Sequence, residues 1–214
     1  MKSEIRILVA CEETGRVRES FRKLGFTGTM SCDILPSRIP GNHYQGDVRD
    51  VLYKDWDVII AFPPCTFLAN SGVRWLYSAD GSRNEERWDK MREGAEFFKM
   101  ILDAPTSIGT AIENPVMHKY AKEVIGRGHD QTFQPWHFGH PESKRTCLWL
   151  DRLPPLIATH RKDDFEEIGQ SVHRMPPGKD RAKKRSETPW PIAKAMAQQW
   201  GDYIAMKLQK GEAA

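Results

Sequence analysis

No apolar run in the chain approaches the roughly 18 residues of a membrane-spanning helix, and Met1-Lys2-Ser3-Glu4 leads straight into a short strand pattern without a signal-like start. These absences predict an intracellular protein of the cytoplasm. Cysteine is scarce. Cys11, Cys32, Cys65 and Cys147 are widely spaced and form no CxxC pair, which fits free thiols better than a disulfide frame or a zinc site. His137 and His140 lie three apart with no clear third or fourth ligand, so no metal is expected. Net charge is only +3, too small by itself to demand a nucleic-acid partner. Repeats, low-complexity segments and composition shifts are also lacking. With 214 residues, 39% hydrophobic and 29% charged, the chain is expected to form one domain, 1–214, around one core.

The first half alternates short apolar runs with helical patterns: a strand over 5–10, an amphipathic helix over 16–24, and a second strand over 29–32. That alternation predicts an α/β fold, a Rossmann-like three-layer αβα sandwich on a mostly parallel sheet. Further apolar runs cover 56–62, 110–112 and 146–150. Trp88, Met91, Ala95, Phe98 and Leu102 mark one face of a helix over 83–102, and Ile192, Met196, Trp200, Tyr203 and Ile204 mark one of a closing helix over 193–208. Residues 151–189, with Pro154-Pro155 and Pro176-Pro177-Gly178, show little periodicity and read as a basic, proline-rich insertion.

The run Trp56 to Phe62 delivers Pro63-Pro64-Cys65. Two residues with fixed φ turn the chain out of the sheet in one direction and set a thiol where a buried strand stops, with 66–72 expected as loop. A buried structural cysteine beside a turn is the plainer alternative. Glu113, in Glu113-Asn114-Pro115, also ends an apolar run beside proline. Together the two suit attack on an electron-poor ring: the thiolate adds to carbon while a protonated carboxyl donates to the ring nitrogen that gains electron density. Burial would raise the glutamate's pKa as that role requires, and Asn114 could buttress it. Elsewhere, Cys11-Glu12-Glu13-Thr14-Gly15 forms a tight turn into the first helix, where such folds hold a nucleotide-like cofactor. Asp33 either accepts from ribose hydroxyls or caps a turn with Ser37; Asp47, in Gly46-Asp47-Val48, either accepts from an adenine amine or is a solvated loop acid. Lys144 and Arg145 could stabilise developing charge, hold a phosphate, or lie on the surface. The run Lys179, Arg181, Lys183, Lys184 and Arg185 is a solvated face or a phosphate-attracting loop.

In this order the motifs resemble those of the cytosine-C5 DNA methyltransferases, over roughly residues 5–150 and 186–206. The most specific are Pro-Pro-Cys followed by Asn70-Ser71-Gly72, the Glu-Asn-Pro triplet, and the spacing from Gly15 through Asp33 and Asp47 to Cys65. The resemblance implies S-adenosylmethionine as cofactor, held by Cys11, Glu12, Gly15, Asp33, Ile34, Asp47, Val48, Pro63 and Trp190. It implies addition of Cys65 to cytosine C6, Glu113 on N3 and methylation at C5, with Lys144 and Arg145 in the catalytic group. Pro64, Ser71, Asn114, Pro115 and Thr146 would line the substrate. The chain departs from the family at Cys11 and Glu13, where glycines are usual, and at Val9 in place of phenylalanine. The family's Gln-x-Arg-x-Arg segment is present only as Glu142-Ser143-Lys144-Arg145-Thr146, leaving open which of the last three faces the pocket. Only 39 residues, 151–189, lie where a target-recognition domain belongs. In this the chain resembles the small, domain-poor enzymes of bacteriophages.

Three functions follow. The leading one is C5 methylation of cytosine in DNA, with the basic 174–185 segment holding phosphates in place of the missing domain. The absent domain favours an alternative substrate, a free cytosine nucleotide such as dCMP. The eroded glycine turn favours a non-catalytic protein of the same fold that binds nucleic acid or a partner.

Overall fold

A computed structural model describes residues 2–171, 176, 178 and 185–211. Its centre is a seven-stranded sheet in the order β3-β2-β1-β4-β5-β7-β6. The strands are β1 (Ile7–Ala10), β2 (Thr29–Asp33), β3 (His43–Gln45), β4 (Val58–Ala61), β5 (Gly109–Pro115), β6 (Gln131–Phe133) and β7 (Thr146–Asp151). β1 and β4 lie side by side at the centre, and every residue of both is buried, as expected of strands covered on both faces. β1 to β5 are mutually parallel, and β7 runs antiparallel between β5 and β6. The expected mostly parallel α/β sandwich is what forms.

Helices α1 (Arg16–Lys23) and α4 (Trp190–Gln209) pack on each other and on one face of the sheet, around Phe21, Phe26, Met196 and Trp200. Helices α2 (Glu85–Leu102) and α3 (Lys119–Ile125) cover the other, around Trp88, Phe98 and Trp149. α4 starts three residues earlier than the periodicity predicts, because Pro191 falls in the first turn, where a missing N–H costs nothing. β5 runs on through Glu113, Asn114 and Pro115, beyond its apolar run, because β7 pairs them with Leu148, Cys147 and Thr146. The segment 66–72, expected as loop, is a turn closed by the Leu68 and Ala69 N–H groups on Cys65 O, followed by a 3-10 stretch from Asn70 to Leu76. Between 153 and 168 the chain forms a single 3-10 turn, Lys162–Asp164, and isolated bridges at Arg152 and Gly169 flank it.

Arg18, from α1, has no exposed surface. Its guanidinium donates to Ser31 Oγ (2.9 Å), Ile39 O (2.6 Å) and Glu19 Oε1 (2.9 Å), fixing the loop that leaves β2. His43 completes that clamp, with Nδ1 2.8 Å from Ser31 Oγ and Nε2 3.0 Å from Leu35 O.

Candidate active site

Parallel strands end on the same side, so the residues after β1, β2, β3 and β4 and the last part of β5 share one edge of the sheet. Cys11, Asp33, Asp47, Cys65 and Glu113 all lie there. Between β1 and β4 the chain connections diverge to opposite sides, which opens the crevice where open α/β sheets take ligands.

Around Cys65 the chain is held from several directions. The Phe62 N–H donates to Ala10 O (3.0 Å), and Asn114, 1% exposed, donates from Nδ2 to Pro63 O (3.0 Å), so β5 grips the proline turn directly. Asn114 Oδ1 is buried and has no protein partner. Beyond the cysteine, Asn70 N–H donates to Val116 O and His118 N–H to Leu68 O. Cys65 is a partly buried free thiol. Burial raises its pKa first and the Glu113 carboxylate second, while Lys144 and Arg185 pull it down. Glu113 is likewise pushed up by burial and opposed by Lys144. Thiol, carboxyl and ammonium therefore form one electrostatic cluster.

Of the three residues the sequence leaves open, Lys144 is the one that acts on both Cys65 and Glu113. Its Nζ donates to Arg185 O (2.9 Å), and its N–H donates to Gln134 Oε1 (2.9 Å). Arg145 is exposed and acts on Cys147, and Thr146 is buried, its hydroxyl donating to Lys144 O (3.0 Å). Gln134 escapes a reading of motifs because its contribution comes through the fold, whereas Arg185 belongs to the basic run that the sequence already marks. Of the basic run only Arg185 falls among the described residues; Lys179, Arg181, Lys183 and Lys184 lie outside them. The end of the insertion is tied down beside the crevice: Glu187 accepts from Arg16 (3.0 Å) and Arg38, Arg38 also pairs with Glu13, and Arg16 donates to Thr188 O (3.0 Å).

On the cofactor side, Cys11 adopts φ 57°, the left-handed conformation for which glycine is usual, so the tight turn forms without that glycine. Gly15, at φ 71°, has no space for a Cβ, which would fall 2.9 Å from Arg18 Nη2 and 3.1 Å from Ser37 Oγ. Asp33 is partly buried and burial raises its pKa, while its Oδ1 accepts from the Leu35 N–H (2.9 Å), a turn cap made with Leu35 rather than Ser37. Next to it Ile34 is 74% exposed, an apolar side chain uncovered at the lip of the crevice. A partly buried acid beside an open apolar surface and a tight backbone turn fits a ribose and base. Cys11 and Cys32 are pushed up by burial and by the nearby Asp33 and Asp47 carboxylates, Cys32 to about 12. Asp47 caps the next turn, both oxygens engaged by Arg49, which holds its pKa low.

Other expected site residues are placed less directly. Glu12 turns inward, its carboxylate accepting from the Val17 (2.7 Å) and Arg18 (3.3 Å) N–H groups at the start of α1. Val48 packs in the core on the α2 side, and Trp190 packs against α1 with Lys23 Nζ 5.6 Å above its ring. Pro63 is buried, Pro64 and Ser71 are exposed, and Pro115 is partly buried beside Thr146.

Burial raises the Glu12 carboxyl to about 7 despite its helix-capping bonds. A carboxyl raised on folding contributes stability that is present below its unfolded pKa and lost as pH rises through its folded one. Stability is therefore expected to fall by about 3 kcal/mol between pH ~4.5 and pH ~7 from this group alone. Urea denaturation across that range should show the slope in the native protein and a flatter curve in Glu12→Gln.

Strand order 3-2-1-4-5-7-6 with only the seventh strand reversed decides the architecture. The fold is a Rossmann-like αβα sandwich on a mostly parallel sheet with one reversed strand. No family model and no curated protein matches the chain. Among solved structures, a candidate DNA modification methyltransferase encoded within an E. coli prophage is similar at 14% identity and a TM-score of 0.43, covering 69% of this chain and 46% of that one. The chain thus spans less than half the length of that protein. Among the described residues no group of three His, Cys, Asp or Glu could hold a metal ion, and no helix is long and apolar enough to cross a membrane.

Proposed function

We propose that the protein is a cytosine-C5 methyltransferase acting on DNA. The observation that carries this reading is the Cys65, Glu113 and Lys144 cluster at the ends of adjacent central strands, beside a crevice suited to a nucleoside. S-adenosylmethionine, when bound over Cys11 and Gly15 with Asp33 and Ile34 beside it, supplies the methyl group. Cys65, as thiolate, forms a bond to cytosine C6, and the electron pair displaced from the C5–C6 bond makes C5 nucleophilic. Protonated Glu113 donates to N3, so the ring accepts the thiolate without building a full negative charge. Lys144 favours the thiolate through its positive charge. Loss of the C5 proton then expels Cys65 and restores the ring.

Free dCMP is the second substrate reading, supported by Lys144 and Arg185 acting together at Cys65, two cations suited to one phosphate. Incubation with S-adenosylmethionine and 5-fluorocytosine, presented in DNA or as the free nucleotide, separates the two by intact mass. Fluorine cannot leave as a proton, so a covalent adduct accumulates. The DNA reading expects an adduct on DNA; trapping on nucleotide alone transfers the function to dCMP. No adduct on either, with cofactor shown to bind, defeats catalysis, and trapping by Cys65→Ser defeats the assignment of the nucleophile.

A further inference from the structure

Beyond Cys65 the chain presents cations in an unusual setting. Arg74 lies 4.3 Å from the Trp75 ring centroid, Arg83 4.0 Å from Trp88, Arg87 5.1 Å from Phe67, and Lys119 4.8 Å from Tyr120. Among the described residues none of these four is paired with a carboxylate, whereas Arg16, Arg18, Arg38 and Arg49 all are. Acids nearby are turned to other partners: Asp80 accepts from Ser82, Glu86 pairs with Lys90, and Glu85 reaches Arg92. Trp75 is 53% exposed and Tyr77 38%, and Tyr77 is held on several sides. A bridge joins Tyr77 to Arg83, the Tyr77 hydroxyl lies 2.9 Å from that of Tyr120, and Trp88 packs edge-on beneath both rings. Arg87 ties this surface to the turn after Cys65, since it lies over the ring of Phe67.

We infer that this surface, residues 67–88 with the start of α3, binds single-stranded DNA and holds the strand that carries the target base. Guanidinium and ammonium groups without carboxylate partners are free for phosphates, and an exposed indole offers a stacking face. A duplex hides its base faces, so only an unpaired base can lie on Trp75. The inference takes DNA as ligand from the proposed function. It places strand binding on a surface beside Cys65 rather than on the 174–185 segment.

The test uses fluorescence anisotropy of labelled oligothymidylate of about 12 nucleotides with the full chain. This probe contains no cytosine, so failure of the C5 chemistry leaves the result standing, and binding without methylation separates the two claims. The expected result is salt-dependent binding that Trp75→Ala weakens by about 5- to 150-fold. Arg74→Gln with Arg83→Gln should lower the slope of log affinity against log salt by about 1.4. Lys194→Gln, an exposed cation on α4, should change neither. Oligothymidylate binding unaltered by the patch variants overturns the inference, as does equal loss in Lys194→Gln or binding confined to blunt duplex. Because Arg74, Trp75 and Arg83 are exposed, unfolding of the variants is not expected, and circular dichroism checks it.

Discussion

Replacing Cys65 by alanine is expected to lower methyl transfer by at least about 10⁴-fold, because the covalent route to a nucleophilic C5 then has no starting bond. Cys65→Ser should fail nearly as badly, since a hydroxyl is scarcely ionised near neutral pH. Both variants should fold and bind cofactor, as the proline turn is held through backbone groups of Phe62, Pro63, Leu68 and Ala69 rather than through sulfur. Retained turnover in Cys65→Ala would remove the thiol from the mechanism. The other cysteines are poor substitutes: Cys32 and Cys147 are buried, and Cys11 is pushed well up by burial and flanking acids.

Glu113→Gln is expected to cost about 10²- to 10⁴-fold in turnover, the usual size of a general acid's contribution. Its two readouts move in opposite directions. Removing the carboxylate removes the charge that raises the Cys65 pKa, so alkylation of the thiol by iodoacetamide should shift to lower pH even as turnover falls. Lys144→Met should shift alkylation to higher pH, because the ammonium favours the thiolate. The rate profile has a sign as well. The proposed mechanism needs Glu113 protonated and Cys65 ionised, so the rate should rise and then fall with pH, with apparent values belonging to the pair. A glutamine amide cannot ionise, so the variant should lose the alkaline fall. A purely structural Glu113 would leave that alkaline limb in place.

Much of this arrangement is written locally. Short apolar runs marked the central strands, and Pro63-Pro64-Cys65 and Glu113-Asn114-Pro115 stood out because proline beside a potentially reactive group at the end of a buried run is a local pattern. The reversal of β7 could not be read, since strand direction depends on the return path of the chain and leaves no periodicity. β6 and α3, three and seven residues long, were too short for their patterns to register. Arg18 reads as a surface residue of an amphipathic helix, and only the loop folded over α1 shows it as a buried clamp.

From the sequence alone came the α/β architecture, the proposed nucleophile and its carboxyl, and the acids at the ends of β2 and β3. The tertiary structure decided which cation joins them. Lys144, Arg145 and Thr146 are consecutive and chemically plausible alike, but pairing Pro115 with Thr146 fixes where the chain enters β7, and of the three it is Lys144, just before the strand, that acts on both the thiol and the carboxyl. It also decided that four cations beyond Cys65 face aromatic rings instead of acids, and that one of them, Arg87, meets the ring of Phe67 from a different element.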